Sequence, residues 1–77
     1  MIGRYAGVAD RTAMAKVIAD VCLRDHPGLK HIIEKPMVDS EAAILYIYWG
    51  YRDLMTVHVG SAGVTMRAGR STVDMPY

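Results

Sequence analysis

The spacing of apolar and polar positions in the first third of the chain has the period of an α-helix. Between residues 11 and 24, apolar residues recur at i, i+3, i+4, i+7 and i+8, which places them on one side of a helix. The residues of this stripe are Met14, Val17, Ile18, Val21 and Cys22. Asp10 precedes the stripe as a good N-cap residue, and Pro27 with Gly28 ends the segment. The pattern therefore predicts a helix over residues 11–24 that packs through the stripe.

The next segment, between two prolines, is compatible with two structures. Its apolar residues are Leu29, Ile32 and Ile33. Their i, i+3, i+4 spacing predicts a short second helix over residues 29–34 that packs on the rest of the fold. The run His-Ile-Ile also suits a short strand, because β-branched residues favour strands. We favour the helix, followed by a loop at residues 38–41 with Asp39 and Ser40 as turn residues.

From residue 42 onward the period changes to two, which predicts strands. Three strands are predicted, at residues 43–49, 54–59 and 64–68, with loops at 50–52 and 60–63. Antiparallel pairing across these loops puts an apolar set on one face, and the helix stripe is its natural cover. The predicted pairs on this face are Leu45 with Val57, Ile47 with Met55, Trp49 with Asp53, Val57 with Met66, and Val59 with Val64. Whether residues 70–77 add an edge strand at 72–74 or cover the second face stays open.

Together these elements predict one small α+β domain over residues 1–77. An N-terminal helix, plus the short second helix, packs on one face of a three-stranded antiparallel β-meander. The second face of the meander follows from the same register. It places Tyr46 beside Thr56 and Arg67, and Ile44 beside His58 and Thr65, so this face is aromatic, hydroxylic and basic.

That second face supplies the candidate binding residues, which are Ile44, Tyr46, Tyr48, Tyr51, Arg52, His58 and Arg67. Tyrosine and arginine are enriched at protein interfaces, so a protein partner or a second copy of the chain is the first expectation. Tyrosines two apart on a strand beside an arginine also suit stacking of single-stranded nucleic acid, which is the alternative. A third interpretation is that the second helix or the chain termini cover this face and the tyrosines belong to the core.

Composition narrows the functional classes. The chain has 77 residues, a formal net charge of +1 and one cysteine, so it has neither a strongly basic character nor an internal disulfide framework. Its hydrophobic fraction of 52% is high for a domain near the lower size limit for folding alone, which favours self-association. We expect no membrane-spanning segment and a cytoplasmic location, in the host cytoplasm if the chain is encoded by a bacteriophage.

Catalytic chemistry finds little support in the sequence. His58, Ser61 and Asp53 have the composition of a hydrolytic triad, but no nucleophile-elbow pattern accompanies them. The histidines and Cys22 lack the spacing of a metal site, and no phosphate-binding fingerprint is present. We therefore predict no cofactor, no metal and no enzymatic activity. The predicted function is a small protein-binding module of the inhibitor or adaptor type that occupies a partner surface.

Overall fold

One helix precedes five strands in the part of the chain that the structure describes. The structure is a computed structural model, which describes residues 8–38 and 40–76. The elements are α1 (Val8–Leu23), β1 (Lys30–Glu34), β2 (Ala43–Trp49), β3 (Arg52–Val59), β4 (Gly63–Ala68) and β5 (Ser71–Pro76). The strands form a single antiparallel sheet in the order β1-β2-β3-β4-β5, so that each strand pairs with its neighbours in sequence.

The predicted three-stranded meander with two helices is therefore wrong. Residues 29–34 do not form a second helix, because Lys30–Glu34 pairs with β2 as an edge strand. A helix of about one turn is poorly stable alone, since nucleation is costly. Pairing instead places Ile33 opposite Leu45, where it packs against the core, and gives the backbone of β1 its partners.

The C-terminal tail forms the other edge of the sheet. Ser71–Pro76 pairs with β4 through a two-residue turn whose first residue, Gly69, has φ of 60°. A positive φ at this place is the backbone conformation that a type II′ hairpin turn requires, and glycine adopts it without strain. This strand is longer than the edge strand considered at 72–74, and through Pro76 it does not fold over the second face of the sheet.

The register of the three predicted strands agrees with the structure except near one turn. The pairs of Leu45 with Val57 and of Val57 with Met66 are confirmed. The predicted pair of Trp49 with Asp53 is wrong, because Trp49 pairs with Arg52 across a two-residue turn that begins at Gly50, with φ of 61°. A register shift between Ile47 and Tyr48 absorbs the difference, as a β-bulge does.

Helix α1 exists as predicted but packs through a different side. The helix begins at Val8, so Asp10 lies in its first turn and not at the N-cap. Ala15 and Ala19 are fully buried, whereas Val17 and Val21 of the predicted stripe are 57% and 61% exposed. Small side chains let the helix approach the sheet closely, so the buried side is rotated from the predicted stripe by roughly a third of a turn. The other predicted stripe residues are half-buried, namely Met14, Ile18 and Cys22.

A buried arginine joins the helix to the β1–β2 loop. Arg11 is 1% exposed, and its Nη1 donates a hydrogen bond to the backbone carbonyl of Glu41. The carboxylate of Glu41 in turn accepts a hydrogen bond of 2.9 Å from the backbone N–H of Met37. The loop that leads into β2 is thereby held against the helix; of the two predicted turn residues in it, Asp39 lies outside the described residues.

Candidate interaction surface

The two faces of the sheet differ in what covers them. Helix α1 contacts β1, β2 and β3 from one side, which we call the covered face. Alternation along the strands places Leu45 and Val57 on the covered face, where both are fully buried. The opposite side, called the open face, has no described element packed over it, since the remaining elements all belong to the sheet.

The open face is organised in three rows of cross-strand neighbours. The acidic row consists of Glu34, Ile44, His58, Thr65 and Asp74. The middle row consists of Ile32, Tyr46, Thr56, Arg67 and Thr72. The turn row consists of Lys30, Tyr48 and Asp53 and lies nearest the β2–β3 turn. Directly opposed residues share a face, so these side chains form one continuous surface across the sheet.

Apolar and aromatic side chains concentrate on one side of this surface. Ile32 is 56% exposed, and beside it Ile44, Tyr46 and Tyr48 are half-buried although no described element covers them. These four residues belong to the neighbouring strands β1 and β2. An uncovered apolar group of this kind, bordered by charged residues, is typical of an interaction site.

The charges on the open face are separated along the strand direction. Glu34 and Asp74 stand at the two ends of the acidic row, on the edge strands β1 and β5. Lys30 lies four residues before Glu34 on β1, in the turn row. Arg70 lies four residues before Asp74, in the β4–β5 turn and not on β5. The β1 edge therefore carries an acidic residue at one end and a basic residue at the other, whereas the basic residue on the β5 side belongs to the turn.

A shallow cleft of about 550 Å³ opens at the acidic row, between the β3–β4 loop and β5. His58, Thr65 and Asp74 line it, and Thr65 Oγ1 donates a hydrogen bond of 2.8 Å to Asp74 Oδ1. Ser61 lies in the same cleft. Asp53, the third member of the triad composition, pairs with Tyr48 in the turn row at the far end of the open face. The structure therefore does not bring these three residues together.

Five of the seven candidate binding residues share the open face, and two lie apart. The five are Ile44, Tyr46, Tyr48, His58 and Arg67. Tyr51 is fully exposed in the β2–β3 turn. Arg52 is directed to the other side, because it pairs with Trp49 of the covered face. The edge residues Lys30, Ile32, Glu34 and Asp74 were missed, since a strand within residues 29–34 was the less favoured alternative and an edge strand at 72–74 was left open.

Some site classes find no residues to support them within residues 8–38 and 40–76. No group of three or more His, Cys, Asp or Glu is placed to hold a metal ion there. Over the same part of the chain, no helix is long and apolar enough to cross a membrane. Comparison of the chain with known protein families, curated proteins and solved structures found no match.

Proposed function

We propose that the chain is a small non-enzymatic protein-binding module and that the open face is its binding surface. It acts by occupying the surface of another protein molecule, as inhibitors and adaptors do. The observation that carries this proposal is the uncovered apolar group formed by Ile32, Ile44, Tyr46 and Tyr48 on a sheet whose other face already holds the core. Burial of such side chains is the main favourable term in protein association.

The extent of the surface supports a macromolecular partner. Five strands spaced by about 4.8 Å give the open face a width of roughly 24 Å. An open surface of this width suits another protein surface better than it suits a small molecule, which is normally enclosed in a pocket. The cleft beside His58 is shallow and occupies only one end of the face.

Binding of single-stranded nucleic acid is the alternative, and it has one observation in its favour. Tyr46 and Arg67 lie in the same row with Thr56 between them, which resembles a stacking platform beside a cation. Against this, the acidic residues Glu34 and Asp74 lie at the two ends of the neighbouring row. Phosphate groups favour a surface of net positive charge, so the charge pattern supports the protein partner.

The test uses two variants on opposite sides of the molecule. Tyr46→Glu places a charge in the apolar group, whereas Val17→Glu places the same charge on the exposed side of α1. Wild-type protein and both variants are compared by sedimentation of the pure protein and by affinity capture from lysate of the native cell. We expect association, with a second copy or with a captured protein, that survives Val17→Glu and is lost in Tyr46→Glu.

Two results would overturn the proposal. One is association that Tyr46→Glu leaves unchanged, since binding would then use a different surface. The other is a mobility shift of a single-stranded oligonucleotide at low salt that is lost in both Tyr46→Ala and Arg67→Ala. That result would assign the open face to nucleic acid.

A further inference from the structure

We infer that the occupant of the open face is the open face of a second copy, related by a two-fold axis that runs across the strands along the middle row. This inference rests on the proposed function and adds the identity of the partner and its orientation. Two identical faces in contact require a two-fold axis that lies between the sheets. The order β1-β2-β3-β4-β5 makes β3 the centre of the face, and two orientations of the axis are natural.

An axis parallel to the strands would bring like charges together. This axis places β1 of one copy over β5 of the other. Each row of one copy then lies over the same row of the other copy. Glu34 would then face Asp74 of the second copy, and Lys30 would lie over the turn that carries Arg70. Juxtaposed like charges are unfavourable and suppress wrong arrangements.

An axis across the strands along the middle row brings opposite charges together. This axis places β1 of one copy over β1 of the other. The acidic row of each copy then lies over the turn row of the other copy. Glu34 then faces Lys30 of the second copy, and Asp74 lies over the β4–β5 turn of the second copy, which carries Arg70. By symmetry the contact of Glu34 with Lys30 occurs twice, so the β1 edges of the interface carry two complementary pairs.

The same arrangement places the apolar group at the axis. Ile32 and Tyr46 belong to the middle row, so each lies close to its own equivalent in the second copy. Two sheets packed face to face stand about 10 Å apart, a separation that such side chains fill. The apolar contact thus lies on the axis at the β1–β2 side of the face. Arg67 also belongs to the middle row and lies near its own equivalent on the β4 side, so this like-charge contact opposes the complementary pairs at the edges.

The size of the face sets the expected strength. The acidic row and the turn row are about 13 Å apart, since four residues separate Glu34 from Lys30 along an extended strand. With the width given above, the projected area is on the order of 300 Å², which is smaller than the roughly 800 Å² per partner of a standard interface. We therefore expect a reversible dimer with a Kd in the micromolar range or weaker.

Charge exchange between copies tests this orientation. Lys30 and Glu34 are exposed on an edge strand, so substitutions there leave the core untouched. Lys30→Glu and Glu34→Lys are each prepared alone, and each places like charges opposite one another in the proposed dimer. We expect each to raise the Kd at least about tenfold by sedimentation equilibrium, which corresponds to about 1.4 kcal/mol.

Mixing the two variants supplies the matched control. In a mixed pair, the copy with Lys30→Glu has a carboxylate at both positions, and the copy with Glu34→Lys has an ammonium group at both. Opposite charges therefore meet again at both contacts. We expect the equimolar mixture to regain wild-type affinity as a heterodimer. Val17→Glu, on the far side of the helix, should leave the wild-type dimer unchanged.

Other outcomes separate the orientation from the proposed function. A wild-type dimer that is lost in Tyr46→Glu but does not respond to charge exchange would overturn the orientation and leave the open face as the interface. A pure protein that stays monomeric up to about 1 mM, where binding energy is only about 4 kcal/mol, would overturn the second copy as occupant. In that case, capture of a different protein that depends on Tyr46 would still support the proposed function.

Discussion

Leu45 and Tyr46 are adjacent on β2, yet they lie on opposite faces of the sheet, which differ in what covers them. Leu45 is fully buried on the covered face, under α1, and contributes to the core. Tyr46 is half-buried on the open face, between Ile32 and Thr56 of the neighbouring strands. In a chain of 77 residues the same sheet therefore supplies the core on one side and, on the other, a surface that no described element covers. Folding stability and association should respond separately to substitutions of alternate residues.

The largest difference between the two faces is expected in the free energy of unfolding after alanine substitution of Leu45 or of Tyr46. Leu45→Ala removes a fully buried side chain and leaves a cavity, so we expect it to lower the free energy of unfolding by about 3 kcal/mol. Tyr46→Ala, measured at a concentration where the protein is monomeric, should cost less than about 1 kcal/mol, because no described element packs over the ring. Urea unfolding followed by circular dichroism measures both. Equal losses would show that the open face belongs to the core.

A smaller loss in the free energy of unfolding is expected for a substitution where β5 joins the sheet. A Cβ atom on Gly63 would lie 2.6 Å from the carbonyl oxygen of Met75 and 2.8 Å from the Cα atom of Pro76. Gly63→Ala therefore has to displace β5, and we expect a loss of about 1–3 kcal/mol, as for overpacking elsewhere. Amide hydrogen exchange should increase most in β4 and β5, which α1 does not contact among the described elements.

Gly60→Ala is the matched control for that substitution. A Cβ atom on Gly60 would meet only the carbonyl oxygen of Gly63, at 3.6 Å, which is an ordinary contact. We expect its exchange pattern to match the wild-type protein. Equal exchange in the two variants would mean that the fifth strand is not held by the close approach at Gly63, and the open face would lose one of its edges.

The smallest effect is expected at the margin of the covered face, at Trp49. A Cβ atom on Gly28 would lie 2.8 Å from Trp49 Cη2, so Gly28→Ala has to move the indole ring. Trp49 is 58% exposed, so its ring has room to turn outward and the cost in stability should stay below about 1 kcal/mol. Trp49 is the only tryptophan, and its fluorescence emission should shift to longer wavelength. An unchanged spectrum would show that Gly28 and the ring are not in contact.

The extent to which the sequence predicts this fold differs from element to element. Strands β2, β3 and β4 follow from their period of two, because each alternates between a buried and an uncovered side. Strand β1 could not be assigned in the same way, since its five residues satisfy a helical spacing as well. The pairing of β1 with β2 decides that this segment is a strand and not a helix. This pairing joins residues that are distant in sequence, so local preference does not determine it.

The helix shows a different limit. Its existence follows from the sequence, but its buried side does not, because Val17 and Val21 are more apolar than Ala15 and Ala19. The alanines are buried because their small side chains let the helix approach the sheet closely. Arg11 is buried beside them, and its hydrogen bond to the Glu41 carbonyl offsets the cost of burying a charge. A ranking by hydrophobicity has no information on either effect.

The same distinction applies to the candidate surface. Tyr46, His58 and Arg67 could be placed together from the sequence because hairpin pairing fixes which residues share a face. The charged edge residues Glu34 and Asp74 could not, because each lies on a strand whose existence depends on its neighbour. The proposed orientation of the dimer therefore depends on the two strands that only the structure provides.

The most direct test of the difference between the two faces is an isotope-filtered nuclear Overhauser spectrum of a mixture of labelled and unlabelled protein, recorded above the Kd. We predict intermolecular cross-peaks from the side chains of Ile32 and Tyr46, and none from Leu45 or Val57. Intermolecular cross-peaks confined to the exposed side of α1, at Val17 and Val21, would contradict the account. So would a dimer with no intermolecular contact at Tyr46.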